Sequence, residues 1–112
     1  MYNYGTITSA HETIWLGSGA SGNHRSKGLK IYNYDGGIIK TTGEGDSPIK
    51  AFHLVDFEFV NYKGGTIEGA DRHAVNTEQS EDVNFTNHGT ITAADKSAFY
   101  CKTCPDTTFI NT

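Results

Sequence analysis

Three aspartates recur at one position of a repeating sequence and are the first candidates for a metal-binding site. Asp56, Asp82 and Asp106 each stand five places before an asparagine that opens a repeated phrase. Stacked carboxylates can hold calcium, which takes oxygen ligands. The same position also suits a turn, because Asp often closes an Asx turn. Exposed neighbouring carboxylates repel by only about 1 kcal/mol, so we expect turns, with no metal and no cofactor.

A second set of acidic residues lies in the loops before the third strand of each repeat. The set comprises Asp46, Asp71 and Asp95. A glycosidase needs two carboxyl groups about 5–9.5 Å apart in a cleft. Acidic residues that repeat in successive coils have such spacings whether or not they are catalytic, so the spacing alone does not indicate an enzyme. The histidines share no offset that would build a catalytic triad. We therefore expect solvated loop charges here and no catalytic residues.

The two cysteines, Cys101 and Cys104, are three positions apart. One Cys-x-x-Cys pair supplies half of a four-ligand zinc site, and the sequence has no second pair. A bridge between them closes a very short loop and stabilises the fold little. The pair predicts either a turn that carries two thiols or a local disulfide.

Aromatic residues follow the asparagines of the repeated phrase. They are Tyr4, Tyr34, Tyr62 and then His88. If these rings point outward, they form a strip along one edge, and such surfaces bind sugar faces or partner proteins. The alternative, which we favour, is that stacked rings only stabilise the edge, by about 0.5–1.5 kcal/mol per pair. The strip is nevertheless the best candidate for a binding surface in this sequence.

The phrase that organises the chain is Asn-x-Gly-Thr-Ile or a close variant. It begins at Asn3, Asn33, Asn61, Asn87 and Asn111. The spacings are 30, 28, 26 and 24 residues, as expected for loops of different length on a fixed scaffold of strands. Asparagine tolerates a left-handed corner, and stacked amides can hydrogen-bond along an axis. We expect the asparagines to form a structural ladder at a corner of the fold.

The residues before each asparagine alternate between apolar and polar positions. Period-two alternation indicates strands with one buried and one solvated face. The residues two places before the asparagine, which we expect to stack as an interior ladder, are Ile31, Phe59, Phe85 and Phe109. A second column comprises Ile7, Ile39, Ile67 and Ile91, and a third set comprises Ile14-Trp15, Ala51-Phe52, Ala74-Val75 and Ala98-Phe99.

Three short strands in each repeat of about 24–30 residues predict a β-solenoid. We expect an all-β chain, a right-handed three-stranded parallel β-helix of about four coils, with the hand taken from the rule for parallel crossovers. As one domain over 1–112, its coils cover about 1–28, 29–56, 57–82 and 83–106, with a partial coil over 107–112. A β-sandwich also has many short strands, but it does not require phrases that recur in register.

Charge and hydropathy argue against two classes of partner. The net charge is −4 at pH 7 and the basic residues are scattered, so the electrostatic footprint of a nucleic-acid-binding protein is missing. No apolar stretch approaches the roughly 18 residues of a membrane span, and residues 1–20 do not have the pattern of a signal peptide. We expect no nucleic-acid partner and no membrane insertion by this segment.

The repeated phrase resembles a known family of bacterial surface proteins. FTNHGTIT at positions 85–92, followed after a turn by SAFY at 97–100, is similar to the Asn-x-Gly-Thr-Ile repeats of autotransporter passengers and related surface-adhesin β-helices. The resemblance covers nearly the whole chain. It implies a non-catalytic structural or adhesive segment of a bacterial secreted or cell-surface protein, located outside the cell. A host-surface glycan or protein is the partner that this function implies.

Two other functions stay open. The wider β-helix architecture also hosts pectate lyases, polygalacturonases and phage tailspike glycosidases, so a carbohydrate-active enzyme is the first alternative. The phrases typical of polygalacturonases are absent, and Asn76-Thr77-Glu78 is only a near miss. A self-assembling solenoid unit is the second alternative, because uncapped coil ends expose strand edges. Such ends lead us to expect end-to-end or homo-oligomeric contacts.

Overall fold

A computed structural model describes residues 1–17 and 26–112. Within these ranges the regular secondary structure is entirely β, and no helix is present that is long and apolar enough to cross a membrane. The strands, in chain order, are β1 (Tyr2–Asn3), β2 (Thr6–Ser9), β3 (Ile14–Gly17), β4 (Ser26–Lys27), β5 (Lys30–Asn33), β6 (Ile38–Thr41), β7 (Ile49–Phe52), β8 (Leu54–Asn61), β9 (Thr66–Gly69), β10 (Val75–Glu78), β11 (Glu81–Asn87), β12 (Thr90–Ala93), β13 (Phe99–Lys102) and β14 (Thr108–Asn111).

Three parallel sheets form the faces of the solenoid. The first sheet has the order β1-β5-β8-β11-β14, with β4 also paired to β8; the second is β2-β6-β9-β12 and the third is β3-β7-β10-β13. Each sheet therefore takes one strand from every turn of the chain, and the chain makes about four turns. The predicted all-β, three-stranded parallel β-helix of about four coils is confirmed.

The repeated phrase sets the register of the first two sheets. In the first sheet, Asn33 pairs with Asn3 on one side and with Asn61 on the other. In the second sheet, Ile39 lies between Ile7 and Ile67 in the same way. Like residues therefore stack on like along the axis, as parallel pairing between successive coils requires.

The third sheet departs from the register that the sequence predicts. The predicted alignment of Ala51 with Ile14 is wrong, because Ile14 pairs with Ile49 and Ala51 pairs with Leu16. Ile49 and Ala51 are both 0% exposed and both face the interior. The predicted alignment of Ala51 with Ala74 is wrong too, because Ala51 pairs with Thr77. Period-two alternation cannot distinguish two residues on the same face of one strand, so it allows the slip of two positions against Ile14 but does not account for the slip against Ala74.

The core fills the space between the three sheets. Its largest buried side chains include Ile31, Ile39, Ile49, Leu54, Phe57, Phe59, Ile67, Val75, Val83 and Phe85. The rings of Phe59 and Phe85 stack with their centroids 4.6 Å apart. Burial of each such side chain contributes about 1.5–3 kcal/mol.

Phe109 does not have the interior position that we expected for it. Its ring lies 5.3 Å from the ring of Phe85 and so continues the same ladder. However, Phe109 is 40% exposed, because it lies on β14, at the end of the first sheet, where no further described strand covers it.

Candidate functional site

A continuous ladder of side-chain hydrogen bonds runs along one corner of the solenoid. The amide nitrogen of each corner asparagine donates to the amide oxygen of the asparagine in the next coil. The Nδ2–Oδ1 distances are 2.8 Å for Asn3 to Asn33, 2.8 Å for Asn33 to Asn61, 2.7 Å for Asn61 to Asn87 and 2.7 Å for Asn87 to Asn111. The ladder fixes the corner in every coil and so fixes the direction of the residue that follows it.

The glycine of the repeated phrase gives the asparagine the space that it needs. The amide of Asn61 also donates to the carbonyl oxygen of Gly65, 3.2 Å away. A Cβ atom on Gly65 would lie 2.4 Å from Oδ1 of Asn61, and one on Gly37 would lie 2.4 Å from Oδ1 of Asn33. Asn33 and Asn61 are both 0% exposed, so these amides can reach no water. The repeated Asn-x-Gly phrase is therefore a corner motif: the buried asparagine amide requires a glycine beside it, because any side chain there would clash with the amide.

Three of the four residues in the predicted aromatic strip form a column of stacked rings. The ring centroids of Tyr4 and Tyr34 are 4.6 Å apart, those of Tyr34 and Tyr62 are 4.7 Å apart, and both pairs are within 6° of parallel. His88 follows the next corner asparagine, but its ring has a different contact: Nδ1 hydrogen-bonds with the hydroxyl of Thr112. The described column of tyrosine rings therefore ends at Tyr62.

A second row of tyrosines, which the sequence reasoning missed, lies beside this column. Tyr2 and Tyr32 each precede a corner asparagine, and their rings stack with a centroid separation of 5.4 Å. Tyr2 also contacts Tyr34 at 6.1 Å, and Tyr32 contacts Tyr62 at 6.4 Å. The alternation of apolar and polar residues before each asparagine places the residue next to the asparagine on the solvated face. Two tyrosines at this same position, Tyr2 and Tyr32, were therefore the sequence signal for the second row. We call Tyr2, Tyr4, Tyr32, Tyr34 and Tyr62 together the tyrosine patch.

Two tyrosines of the patch have raised pKa values. The hydroxyl of Tyr32 donates to a carboxylate oxygen of Glu58, and this bond, with some desolvation, raises the pKa of Tyr32 to about 12. Partial burial between its neighbours, together with the nearby phenol of Tyr4, raises the pKa of Tyr34. Tyr32 and Tyr34 therefore keep their protons at neutral pH.

Ring stacking determines what the tyrosine patch offers to a ligand. Each ring inside a parallel stack covers the faces of its neighbours, so Tyr34 presents mainly an edge and a hydroxyl group. Tyr2 and Tyr4 are each 66% exposed, and Tyr62 is 37% exposed. The patch can therefore form hydrogen bonds and edge contacts along its length, whereas ring faces are open only near its ends.

The three aspartates have a left-handed backbone, but only Asp106 lies in a turn before its strand; Asp56 and Asp82 lie within β8 and β11, at positions that the ladder of paired residues skips. Asp56, Asp82 and Asp106 have φ angles of 58°, 54° and 55°. Gly28 stands at the same offset before Asn33 and has a φ of 74°, so this position requires this backbone conformation in each of these coils. Asp is one of the few residues with a side chain that is enriched there. The described residues contain no group of three or more His, Cys, Asp or Glu side chains placed to hold a metal ion.

The other acidic residues and the cysteines have local roles. Oδ2 of Asp71 accepts a hydrogen bond from the backbone of Gly45 at 2.6 Å, whereas Asp95 is exposed. Cys101 and Cys104 form a disulfide, which decides between the two alternatives for this pair. None of these contacts brings two carboxyl groups and a cleft together.

Comparison with known proteins identifies no family for this chain. The sequence matches no protein-family model and no curated protein, and the chain matches no solved structure. The resemblance to autotransporter passengers therefore stays a prediction. The structure shows the architecture alone, a parallel β-solenoid of about four turns.

Proposed function

We propose that this chain is a non-catalytic structural and adhesive segment of a bacterial secreted or cell-surface protein. It acts outside the cell, and it adheres through the tyrosine patch. The observation that supports this proposal best is the patch itself, in which parallel rings stand on a corner fixed by buried amides. The repeated phrase and its resemblance to surface-adhesin β-helices support the location and the adhesive role.

Rigidity makes the patch suitable for recognition. The asparagine ladder holds the backbone beside each tyrosine, and the stacked neighbours restrict rotation of each ring. Binding therefore costs little side-chain entropy, and tyrosine supplies large contact area together with a polar group. Tyrosine is also enriched in protein interfaces relative to the remaining surface.

The stacking geometry favours a protein over a glycan as the partner of the patch. A sugar ring binds to an open aromatic face, and the faces of Tyr34 are covered by Tyr4 and Tyr62. Hydroxyl groups and ring edges instead suit the backbone and side-chain polar groups of a protein surface. We therefore propose a host-surface protein as the main partner, with a glycan as the second candidate.

The strand counts of the described residues do not favour a self-assembling unit as the function. Along its main path the first sheet has five described strands, whereas the second and third sheets have four each. If a second copy were stacked with its β1 on β14, the other two sheets would each lack one strand at the junction. Unpaired backbone groups would remain there, and each costs free energy when buried.

A double substitution tests the adhesive proposal. Tyr34→Ser with Tyr62→Ser removes two of the three rings of the stacked column and leaves the asparagine ladder intact. We expect binding to immobilised host-surface proteins to fall at least about tenfold, because central aromatic residues dominate interface energetics. Binding to a glycan array, measured in parallel, separates the two partner classes.

The matched control is Tyr100→Ser, because Tyr100 lies on the third sheet and stacks on His73. This variant should bind as the unsubstituted chain does, and all variants should keep a β-rich far-UV spectrum. Binding that is unaltered by the double substitution would remove the tyrosine patch from the adhesive function.

A further inference from the structure

We propose that a second surface, on the outer face of the third sheet, binds a neutral pyranose sugar. This surface, the Trp15 cluster, comprises Trp15, Phe52, Lys50, Glu12 and Asp46. It lies on a different sheet from the tyrosine patch, and no residue belongs to both. The inference therefore stands or falls independently of the adhesive proposal.

Trp15 supplies an exposed aromatic ring. Its neighbours Ile14 and Leu16 pack against the core, so alternation along β3 directs the indole ring outward. Trp15 is 55% exposed, and β3 is the edge strand of the third sheet. A large exposed aromatic ring on a rigid strand is a common feature of recognition surfaces. Among the described residues no aromatic ring stacks on the indole, whereas Tyr34 in the tyrosine patch is stacked on both sides.

Lys50 fixes the position of the polar groups around the indole ring. Its Nζ lies 5.1 Å from the centroid of the Trp15 ring and 5.3 Å from that of Phe52. The same ammonium group is 3.0 Å from Oε1 of Glu12. A cation held between two rings and a carboxylate has a defined position, so it can donate a hydrogen bond in a predictable direction.

The rim of the cluster also provides acceptors. A hydrogen bond to its own backbone, and then one from Lys50, hold the pKa of Glu12 below its ordinary value, so this carboxylate is charged at neutral pH. Oδ2 of Asp46 lies 3.1 Å from Nδ1 of His11. An apolar plane with a few fixed donors and acceptors at its edge is the chemistry that a sugar requires, since a pyranose has one apolar face and a rim of hydroxyl groups.

The charge balance selects among sugars. Lys50 and Glu12 compensate each other, and His11 is exposed beside Asp46. With Asp46, the cluster holds two carboxyl groups and one ammonium group, so its rim is net acidic. Acidic sugars such as uronic acids are therefore repelled, whereas neutral hexosides meet no charge penalty.

Intrinsic fluorescence tests this inference directly, because Trp15 is the single tryptophan of the chain. The full chain is titrated with methyl glucoside, methyl galactoside, methyl mannoside and cellobiose, and with glucuronic acid as the acidic counterpart. We expect a saturable change in indole emission with at least one neutral sugar and an affinity at least about fivefold weaker for the acid. The absence of a saturable change with every neutral sugar up to 50 mM, taken as roughly the weak limit of a useful site, would overturn the inference.

Two variants separate the sugar site from fold and adhesion. Glu12→Gln keeps the size of the side chain but removes its charge, and we expect the sugar affinity to fall about fivefold or more. Tyr34→Ser with Tyr62→Ser should leave the titration unchanged, because these residues lie on another part of the solenoid. An emission change that persists at full affinity in Glu12→Gln, or that is lost in the tyrosine double variant, would contradict the assignment of the site to the Trp15 cluster.

Discussion

Replacement of Asn61 by alanine should destabilise the solenoid far more than the same change at the end of the ladder. Asn61 is 0% exposed and lies in the middle of the row. It accepts one bond from Asn33 at 2.8 Å and donates another to Asn87 at 2.7 Å. The two short bonds contribute about 1 kcal/mol each, and the polar groups left buried by the substitution cost about 1–2 kcal/mol more. We therefore expect a loss of about 3–4 kcal/mol.

The matched control is Asn111→Ala. Asn111 is exposed and takes part in a single ladder bond, from Asn87 at 2.7 Å. Loss of one solvent-accessible hydrogen bond should cost about 0.5–1 kcal/mol. The two variants make the same chemical change at a buried and at an exposed position of the ladder, so their comparison removes the general effect of an asparagine-to-alanine change on the unfolded chain.

Urea unfolding followed by far-UV circular dichroism measures both losses. With an m value of about 1.5 kcal/mol per M, Asn61→Ala should lower the midpoint by about 2–2.7 M, and Asn111→Ala by less than about 0.7 M. Asn61→Asp adds a test of the bond direction, because it keeps the volume but replaces the donating NH2 by an acceptor oxygen. Equal losses at the two positions, or an unchanged midpoint for Asn61→Asp, would refute the reasoning.

Three further perturbations test other parts of the structure. Phe59→Ala should cost about 3–5 kcal/mol in urea unfolding, clearly more than Phe109→Ala, since Phe59 is 0% and Phe109 is 40% exposed; equal costs would mean that Phe59 is not interior. EDTA should leave the melting temperature unchanged, because the left-handed backbone at Asp56, Asp82 and Asp106 accounts for aspartate at these positions without a metal, and a large drop would contradict that assignment. The raised pKa of Tyr32 makes folding favour the protonated phenol, so its contribution to stability is complete below pH 10 and is lost as the pH rises through about 12. Glu58→Gln should lower the pKa of Tyr32 in a titration followed at 295 nm and reduce this alkaline loss; an unaltered titration would exclude Glu58 as the cause.

The sequence was sufficient to predict the parallel coils because the corner motif is physically demanding. A buried asparagine needs both an amide partner in the next coil and a glycine beside it, so these residues recur together in each complete motif. Once Asn33 and Asn61 are aligned, the pairing of Ile31 with Phe59 follows without further information. The third strand has no such marker, and this explains why Ala51 was aligned two positions away from its true partner.

The candidate sites were less predictable than the fold. The column of Tyr4, Tyr34 and Tyr62 was accessible from the sequence because it follows the corner asparagine. The stacking that covers the ring faces of Tyr34 depends on side-chain torsions, which the sequence pattern does not specify. The contact of Lys50 with Trp15 was hidden because it depends on the register of β3 and β7, where the predicted alignment was wrong.

The central claim is that buried asparagine amides connect successive parallel coils, and nuclear magnetic resonance can observe this connection directly. In a chain labelled with ¹⁵N at asparagine, the side-chain amide protons of Asn33, Asn61 and Asn87 lie in consecutive hydrogen-bonded positions. The structure predicts nuclear Overhauser effects from the amide of Asn33 to the side chain of Asn61, and from the amide of Asn61 to that of Asn87, together with slow exchange of these protons. Side-chain amides that exchange freely with water and show no contacts between coils would contradict the account.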